Sequence, residues 1–207
     1  AEAGVVIGGG AGGMLECEPV YRDRLLGGAG ALGYPAFAAF NCASSADHIA
    51  SHLGLMGPKT TFMTACSSGA TAVGYAGDLI RNRLAPVVVC GGTEPLCRVT
   101  YAAFNALQAV DPERCRPFDR NRQGLSLGEG AGVLVLESLA YARRRGARIH
   151  AEFLGYGVSC DAHHMTAPEP EGAGAALAMR RALEDAGVAA GQVDYVNAHG
   201  TGTPAND

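Results

Sequence analysis

Thr61-Phe62-Met63-Thr64-Ala65-Cys66-Ser67-Ser68-Gly69 is the stretch from which the fold class can be read. Thr61-Phe62-Met63 reads as the end of a buried strand, and the chain then breaks into a turn of small residues. From Ser67 to Arg83 the residues Ala70, Val73, Gly77 and Ile80 recur at helical spacing, so the segment is predicted to be a closely packed helix. A strand feeding directly into a helix is the building step of a layered α/β protein. The turn between them carries a cysteine. A thiolate is the nucleophilic form of that side chain, and a helix N-terminus offers free N–H groups and the positive end of the dipole. On spacing alone, Cys66 reads equally well as a buried small hydrophobe.

The same alternation extends in both directions. Gly4 to Gly8 is predicted to be a strand, Leu15 to Leu25 a helix and Ser45 to Leu53 another helix. Pro86-Val87-Val88-Val89-Cys90 is a continuous apolar run, as expected of a strand buried on both faces, and Ala131 to Leu136 repeats that pattern. Ser138 to Arg145 reads as a helix stopped by Gly146. A strand near Ala151 to Gly157 and an irregular polar stretch from Ser159 to Gly172 follow. Helix Ala173 to Ala186 comes next, with Gly187 placed to cap it. A short apolar strand beginning at Val193 then runs into a loop rich in glycine and threonine that carries His199. Strand and helix in alternation predict an α/β fold.

Composition narrows the function classes. A hydrophobic content of 48% over 207 residues supports a real core, and the thirty glycines form no low-complexity blocks, so they signal tight turns and close packing. A net charge of −4 without a basic, aromatic-bearing stripe gives no reason to expect nucleic acid. No apolar stretch reaches the roughly 18 residues that span a bilayer. No charged-then-apolar leader opens the chain, so a cytoplasmic location is expected. The seven cysteines are irregularly spaced without a C-x-x-C, which predicts reduced thiols and neither a zinc ribbon nor a redox dithiol.

Three further signals have bland readings. Gly8-Gly9-Gly10-Ala11-Gly12-Gly13 satisfies the dinucleotide fingerprint, but no second strand follows Glu16 to Arg24, so a loop of close backbone approach is expected. Asp161, His163 and His164 have no further ligand at suitable spacing, and no metal is expected there. Arg143-Arg144-Arg145 falls at a helix C-terminus, where cations complement the dipole.

The motifs, taken in order, are Thr64-Ala65-Cys66-Ser67-Ser68-Gly69, Cys90-Gly91-Gly92-Thr93-Glu94, Arg116-Pro117-Phe118-Asp119, Leu127-Gly128-Glu129-Gly130-Ala131-Gly132, His164-Met165-Thr166-Ala167-Pro168 and Asn197-Ala198-His199-Gly200-Thr201-Gly202-Thr203. With them the chain resembles the β-ketoacyl synthases of the thiolase superfamily, the condensing enzymes of fatty-acid and polyketide synthesis. His164 to Pro168 points to the discrete, elongating type II branch. The resemblance implies a thiolase-like layered α/β fold, incomplete here, with residues 1–148 ending an N-terminal half and residues 149–207 beginning a C-terminal half.

It also implies roles. Cys66 would hold the acyl group, and its backbone N–H would form half of an oxyanion hole. His199 would donate a hydrogen bond through Nε2–H to the enolate made by decarboxylating a malonyl thioester. Thr201 and Thr203, two residues apart in an extended loop, would present hydroxyls on one side to the amides of a pantetheine arm; their bland reading is local backbone capping. Thr166 would border the malonyl site. Glu129 reads as a backbone-bonding carboxylate in a glycine-rich turn. No cofactor is implied. The implied partners are an acyl carrier protein and a second subunit, identical or related, across Thr60 to Thr64.

The family pattern continues with a lysine, a second histidine and a glycine-phenylalanine turn after the loop that ends this sequence. The 207 residues are therefore expected to be the middle of a synthase, poorly soluble and inactive alone. Gln123, Leu125, Cys115 and the Ser67-Ser68 pair depart from the commonest family residues, and Leu125 is expected near the acyl-pocket entry. Two other functions stay open: a thiolase acting without decarboxylation, and a non-catalytic chain-length partner, against which Cys66 argues.

Overall fold

The computed structural model describes residues 2–28 and 38–207, which form two compact units: Ala1–Tyr101 with Gly128–Glu152, and Ala102–Leu127 with Phe153–Asp207. Each is described by itself.

The first unit is built on a four-stranded sheet. Its strands are β1 (Gly4–Gly8), β2 (Lys59–Phe62), β3 (Val87–Glu94) and β4 (Gly130–Glu137), in the order β2-β1-β3-β4. β2 and β3 run parallel to β1, with Val6 opposite Thr60 on one side and Cys90 on the other; β4 runs antiparallel to β3. β1 is buried along its whole length, and the pleat sends its side chains alternately to two faces. Val6 joins Val88 and Cys90 under helix α3 (Ser68–Arg81), which contributes Ala72, Ala76 and Leu79. Val5 and Ile7 face Ala46 of helix α2 (Ser44–Leu53) on the other side. Helices cover both faces, so the α/β expectation holds. Helix α1 (Met14–Leu25) follows the glycine loop, helix α4 (Arg98–Ala106) follows β3, and the short helix α5 (Leu139–Arg144) starts at Ser138, whose hydroxyl accepts the Tyr141 N–H.

The alanines of α3 let it sit low on the sheet, and glycines bring it closer still. A Cβ on Gly8 would lie 2.2 Å from the backbone carbonyl of Ser68, and one on Gly92 would lie 3.2 Å from the Gly69 Cα. Backbone meets backbone there. The fingerprint loop behaves as predicted: Gly10 and Ala11 N–H groups donate to the Glu94 carboxylate at 2.8 and 2.6 Å. The donors that would cradle a pyrophosphate are thus occupied by the protein's own anion.

The second unit contains helix α6 (Ala173–Ala186), which ends in left-handed Gly187 (φ 65°) as its sequence foretells. The Arg116–Arg122 turn and the Thr201–Asp207 loop are bound together in the same unit.

Four expectations need correction. β2 is an edge strand, with Lys59 and Met63 exposed, so the strand before Cys66 is not buried throughout. β4 forms as predicted, and Leu136 packs against the core under α3, yet Val133, Leu134 and Val135 are 51%, 51% and 57% exposed, with β3 as the strand's one sheet neighbour among the described residues. Ala151 to Gly157 is extended without strand pairing among the described residues. Its neighbour is a helix: the Tyr156 N–H donates to Asp185 at 3.0 Å, and Arg181 donates to the Val158 carbonyl at 2.7 Å, both from α6. The segment from Val193 likewise has no ladder, with Tyr195 78% exposed.

Candidate active site

Cys66 sits in a single tight turn, Ala65–Ser67, between β2 and α3. It is exposed, so the small-hydrophobe reading fails. The turn is made by Ala65, which adopts φ 52°, a left-handed conformation that costs a non-glycine residue about 1–2 kcal/mol. Such strain persists only where surrounding bonds over-determine it. Here Ser67 Oγ donates to the Thr64 carbonyl at 2.7 Å and bonds Thr64 Oγ1 at 2.9 Å. Ser68, 3% exposed, donates its hydroxyl to the Ala65 carbonyl at 2.6 Å and accepts the Thr64 N–H at 2.9 Å. The result is a sharply bent strand-to-helix corner with a thiol on its outside.

In the second unit, His199 is exposed and precedes Gly200 (φ 57°). The structure brings Thr201 and Thr203 together: their hydroxyls are 2.8 Å apart, across left-handed Gly202 (φ 70°) rather than along the extended loop the spacing suggested. The Thr203 N–H also reaches Thr201 Oγ1 at 3.4 Å, so some of that capacity is used locally. Thr166 lies in a different turn, whose N–H groups at Thr166 and Ala167 both donate to His164 Nδ1 at 3.1 Å. That engages His164 as a turn-forming acceptor. Among the described residues no group of three metal-ligating side chains converges.

The clamp on the threonine loop was not anticipated. Asp207 Oδ2 accepts the Gly202 N–H at 2.8 Å and the Phe118 N–H at 3.0 Å. Arg122 bonds the Thr203 and Asp207 carbonyls, and the Cys115 thiol donates to the Thr201 carbonyl at 3.2 Å. Burial pulls the Asp207 carboxyl upward, but hydrogen bonds from Asn206, Phe118, Gly202 and Thr201 outweigh it and hold the group below the usual carboxylate range. Gly202, at φ 70°, leaves no room for a side chain, since its Cβ would lie 2.7 Å from the Gly124 carbonyl. The Arg116-Pro117-Phe118-Asp119 motif thus helps anchor the loop, while Arg116 pairs with buried Asp111 at 3.6 Å. Glu129 accepts the Leu96 N–H at 3.1 Å, as expected of a backbone-bonding acid.

The N-terminal domain model of the β-ketoacyl synthases matches residues 1–142, and the C-terminal domain model matches residues 150–207. The chain belongs to the β-ketoacyl synthase family. It is 42% identical, over its whole length, to a 3-oxoacyl-[acyl-carrier-protein] synthase 2 of Synechocystis, covering 51% of that protein. It is 51% identical over 160 residues to the Rhizobium meliloti protein of the same name, covering 73% of this chain and 38% of that one. The chain therefore spans about half the length, or less, of the curated relatives it matches.

Among solved structures, the ishigamide ketosynthase/chain length factor superposes over all of this β-ketoacyl synthase chain and 51% of its own, with a TM-score of 0.93 at 42% identity. A β-ketoacyl synthase from Burkholderia phymatum gives 0.92 at 34% identity, over all of this chain and 52% of its own. The fold is thus that of the thiolase-like ketosynthases.

Proposed function

We propose that the chain is the central part of a β-ketoacyl-acyl carrier protein synthase, with residues 1–148 closing its N-terminal half and residues 149–207 opening its C-terminal half. The carrying observation is Cys66: an exposed thiol on a strained strand-to-helix corner, inside a chain that matches both family domains. In the complete enzyme its thiolate attacks the carbonyl carbon of an acyl thioester. The new C–S bond forms, the old one breaks, and the carrier thiol leaves with the proton that Cys66 gave up. A malonyl thioester then loses carbon dioxide. His199 donates a hydrogen bond to the developing enolate oxygen. The enolate carbon attacks the Cys66 thioester, forming the C–C bond and releasing the thiolate.

Thr201 and Thr203 hold the pantetheine arm, and Thr166 borders the malonyl group. The acyl groups arrive on an acyl carrier protein; the names of the relatives, and a solved ketosynthase in complex with its carrier protein, favour that partner. The open edge of β2 offers Thr60–Thr64 for pairing with an identical or related subunit, and ketosynthases solved with chain length factors favour such pairing. No helix among the described residues is long and apolar enough to cross a membrane. The 207 residues alone are expected to be inactive and poorly soluble, since Val133, Leu134 and Val135 of β4 are more than half exposed.

The test is condensation of acyl-carrier and malonyl-carrier substrates by the full-length synthase and its Cys66→Ala variant. Loss of product with Cys66→Ala is expected, and continued condensation refutes the assignment. Carbon dioxide release from the malonyl thioester separates this reaction from thiolase chemistry.

A further inference from the structure

We propose that Ser68 is a positioning residue that orients the Cys66 backbone N–H toward the oxyanion formed when Cys66 is acylated. The proposal rests on the reading of Cys66 as the acyl-accepting nucleophile. The Ser68 hydroxyl is almost wholly buried and bridges two peptide groups of the corner, donating to the Ala65 carbonyl at 2.6 Å and accepting from the Thr64 N–H at 2.9 Å. The Ala65 carbonyl belongs to the peptide unit whose nitrogen is that of Cys66. In a planar trans peptide the C=O and N–H point in opposite directions. Pinning the Ala65 oxygen on the inner side of the corner therefore fixes the Cys66 N–H on the outer side, where the thiol is exposed.

The pin is needed because Ala65 sits at φ 52°, a conformation from which a non-glycine residue relaxes unless held. The Ser68 N–H also reaches the Ala65 oxygen, so the hydroxyl adds a second hold from a different direction. Ser67 does different work. Its hydroxyl bonds Thr64 alone and leaves the Ala65–Cys66 peptide untouched. The two serines are adjacent in sequence and separable in role.

During acylation the thioester carbonyl oxygen becomes an oxyanion as sulfur adds to carbon, and a donor aimed at it stabilises that charge. Alkylation of the same sulfur by iodoacetamide passes through no oxyanion. The two reactions therefore report separately on N–H orientation and on thiol presentation.

The experiment uses the full-length synthase. Single-turnover acylation of Cys66 by an acyl-carrier thioester is compared with iodoacetamide alkylation at Cys66, followed by peptide mass mapping. Ser68→Ala is expected to slow acylation about tenfold, less than outright loss of an oxyanion donor, while alkylation stays close to the wild-type rate. Ser67→Ala is expected to lose less, and Ser68→Thr, which keeps the hydroxyl, to acylate well above Ser68→Ala. If Ser68→Ala does not fold, Ser68→Cys, of near-native volume but a weak donor, carries the same expectation. Acylation at the wild-type rate in Ser68→Ala overturns the proposal, as do parallel losses of acylation and alkylation. Equal losses in the alanine and threonine variants overturn it too. Failure of the underlying reading looks different: Cys66→Ala would then still condense its substrates.

Discussion

Replacing Gly8 by alanine tests whether the Cys66 corner is set by the sheet beneath it. The added methyl would lie 2.2 Å from both the carbonyl carbon and oxygen of Ser68 and 2.5 Å from the Gly69 nitrogen. All three are backbone atoms, so no rotamer change can clear them. Carbon–carbon contacts settle near about 3.5 Å, so the two backbones must separate by about 1.3 Å. β1 is buried throughout and hydrogen-bonded on both sides, while Ser68 begins α3; the helix start therefore yields, carrying Cys66 with it. Overpacking of this kind costs about 1–3 kcal/mol. A misplacement of about 1 Å at a reacting group costs on the order of 100-fold in rate. Gly8→Ala in the full-length synthase is therefore expected to lower single-turnover acylation of Cys66 about 100-fold. Denaturant unfolding should report a loss of about 1–3 kcal/mol. Wild-type acylation in a variant of wild-type stability would refute the coupling of sheet and corner.

The cysteines are expected to separate by burial. Cys90 is fully buried and its thiol is pushed up to about 11 by burial, so in native protein iodoacetamide should label Cys66 and Cys160 first and Cys90 last. Early labelling of Cys90 would contradict the packing of α3 on β3. Asp111 governs part of the acid limit. The Glu113 N–H holds its carboxyl below the ordinary range against the upward pull of burial, with help from the Arg114 N–H and Arg116. A value lower folded than unfolded gives stability that is present above the unfolded value, about 3.9, and lost as pH falls through the folded one. Asp111→Asn should therefore flatten the loss of stability on acidification, measured by urea unfolding at successive pH values; an unchanged slope would refute the role.

Much of the first unit was legible because its signals are local. Gly4 to Gly8 is a short apolar run bounded by glycine, and Gly187 stands where a helix needs a left-handed residue. The nearness of the Thr201 and Thr203 hydroxyls was legible, but its reason was not: left-handed Gly202 between them (φ 70°), rather than extended backbone, brings them together. What escaped was set by partners distant in sequence. The apolar residues of Ala151 to Gly157 indicate extended chain but cannot say whether a strand or helix α6 will lie beside it. The run at Val133–Val135 shows a preference for burial without showing what buries it. Ala65 carries no hint of a left-handed bend, since that conformation is held by the bonds of Ser67 and Ser68 around it and not by the alanine itself. Ser68 read only as a departure from a commoner residue, and the clamp of Asp207 on Phe118 spans 89 positions. Glycine marked the close approach at Gly8, but the identity of the opposing atoms needed coordinates.

The bare contact of Gly8 and Gly92 with the start of α3 bears on how much of the surrounding sequence can vary. Where main chain rests on main chain, no intervening side group can swing, shrink or be swapped to shift the sulfur. Side chains elsewhere in this unit can then change in size without moving Cys66, provided that this glycine contact stays intact.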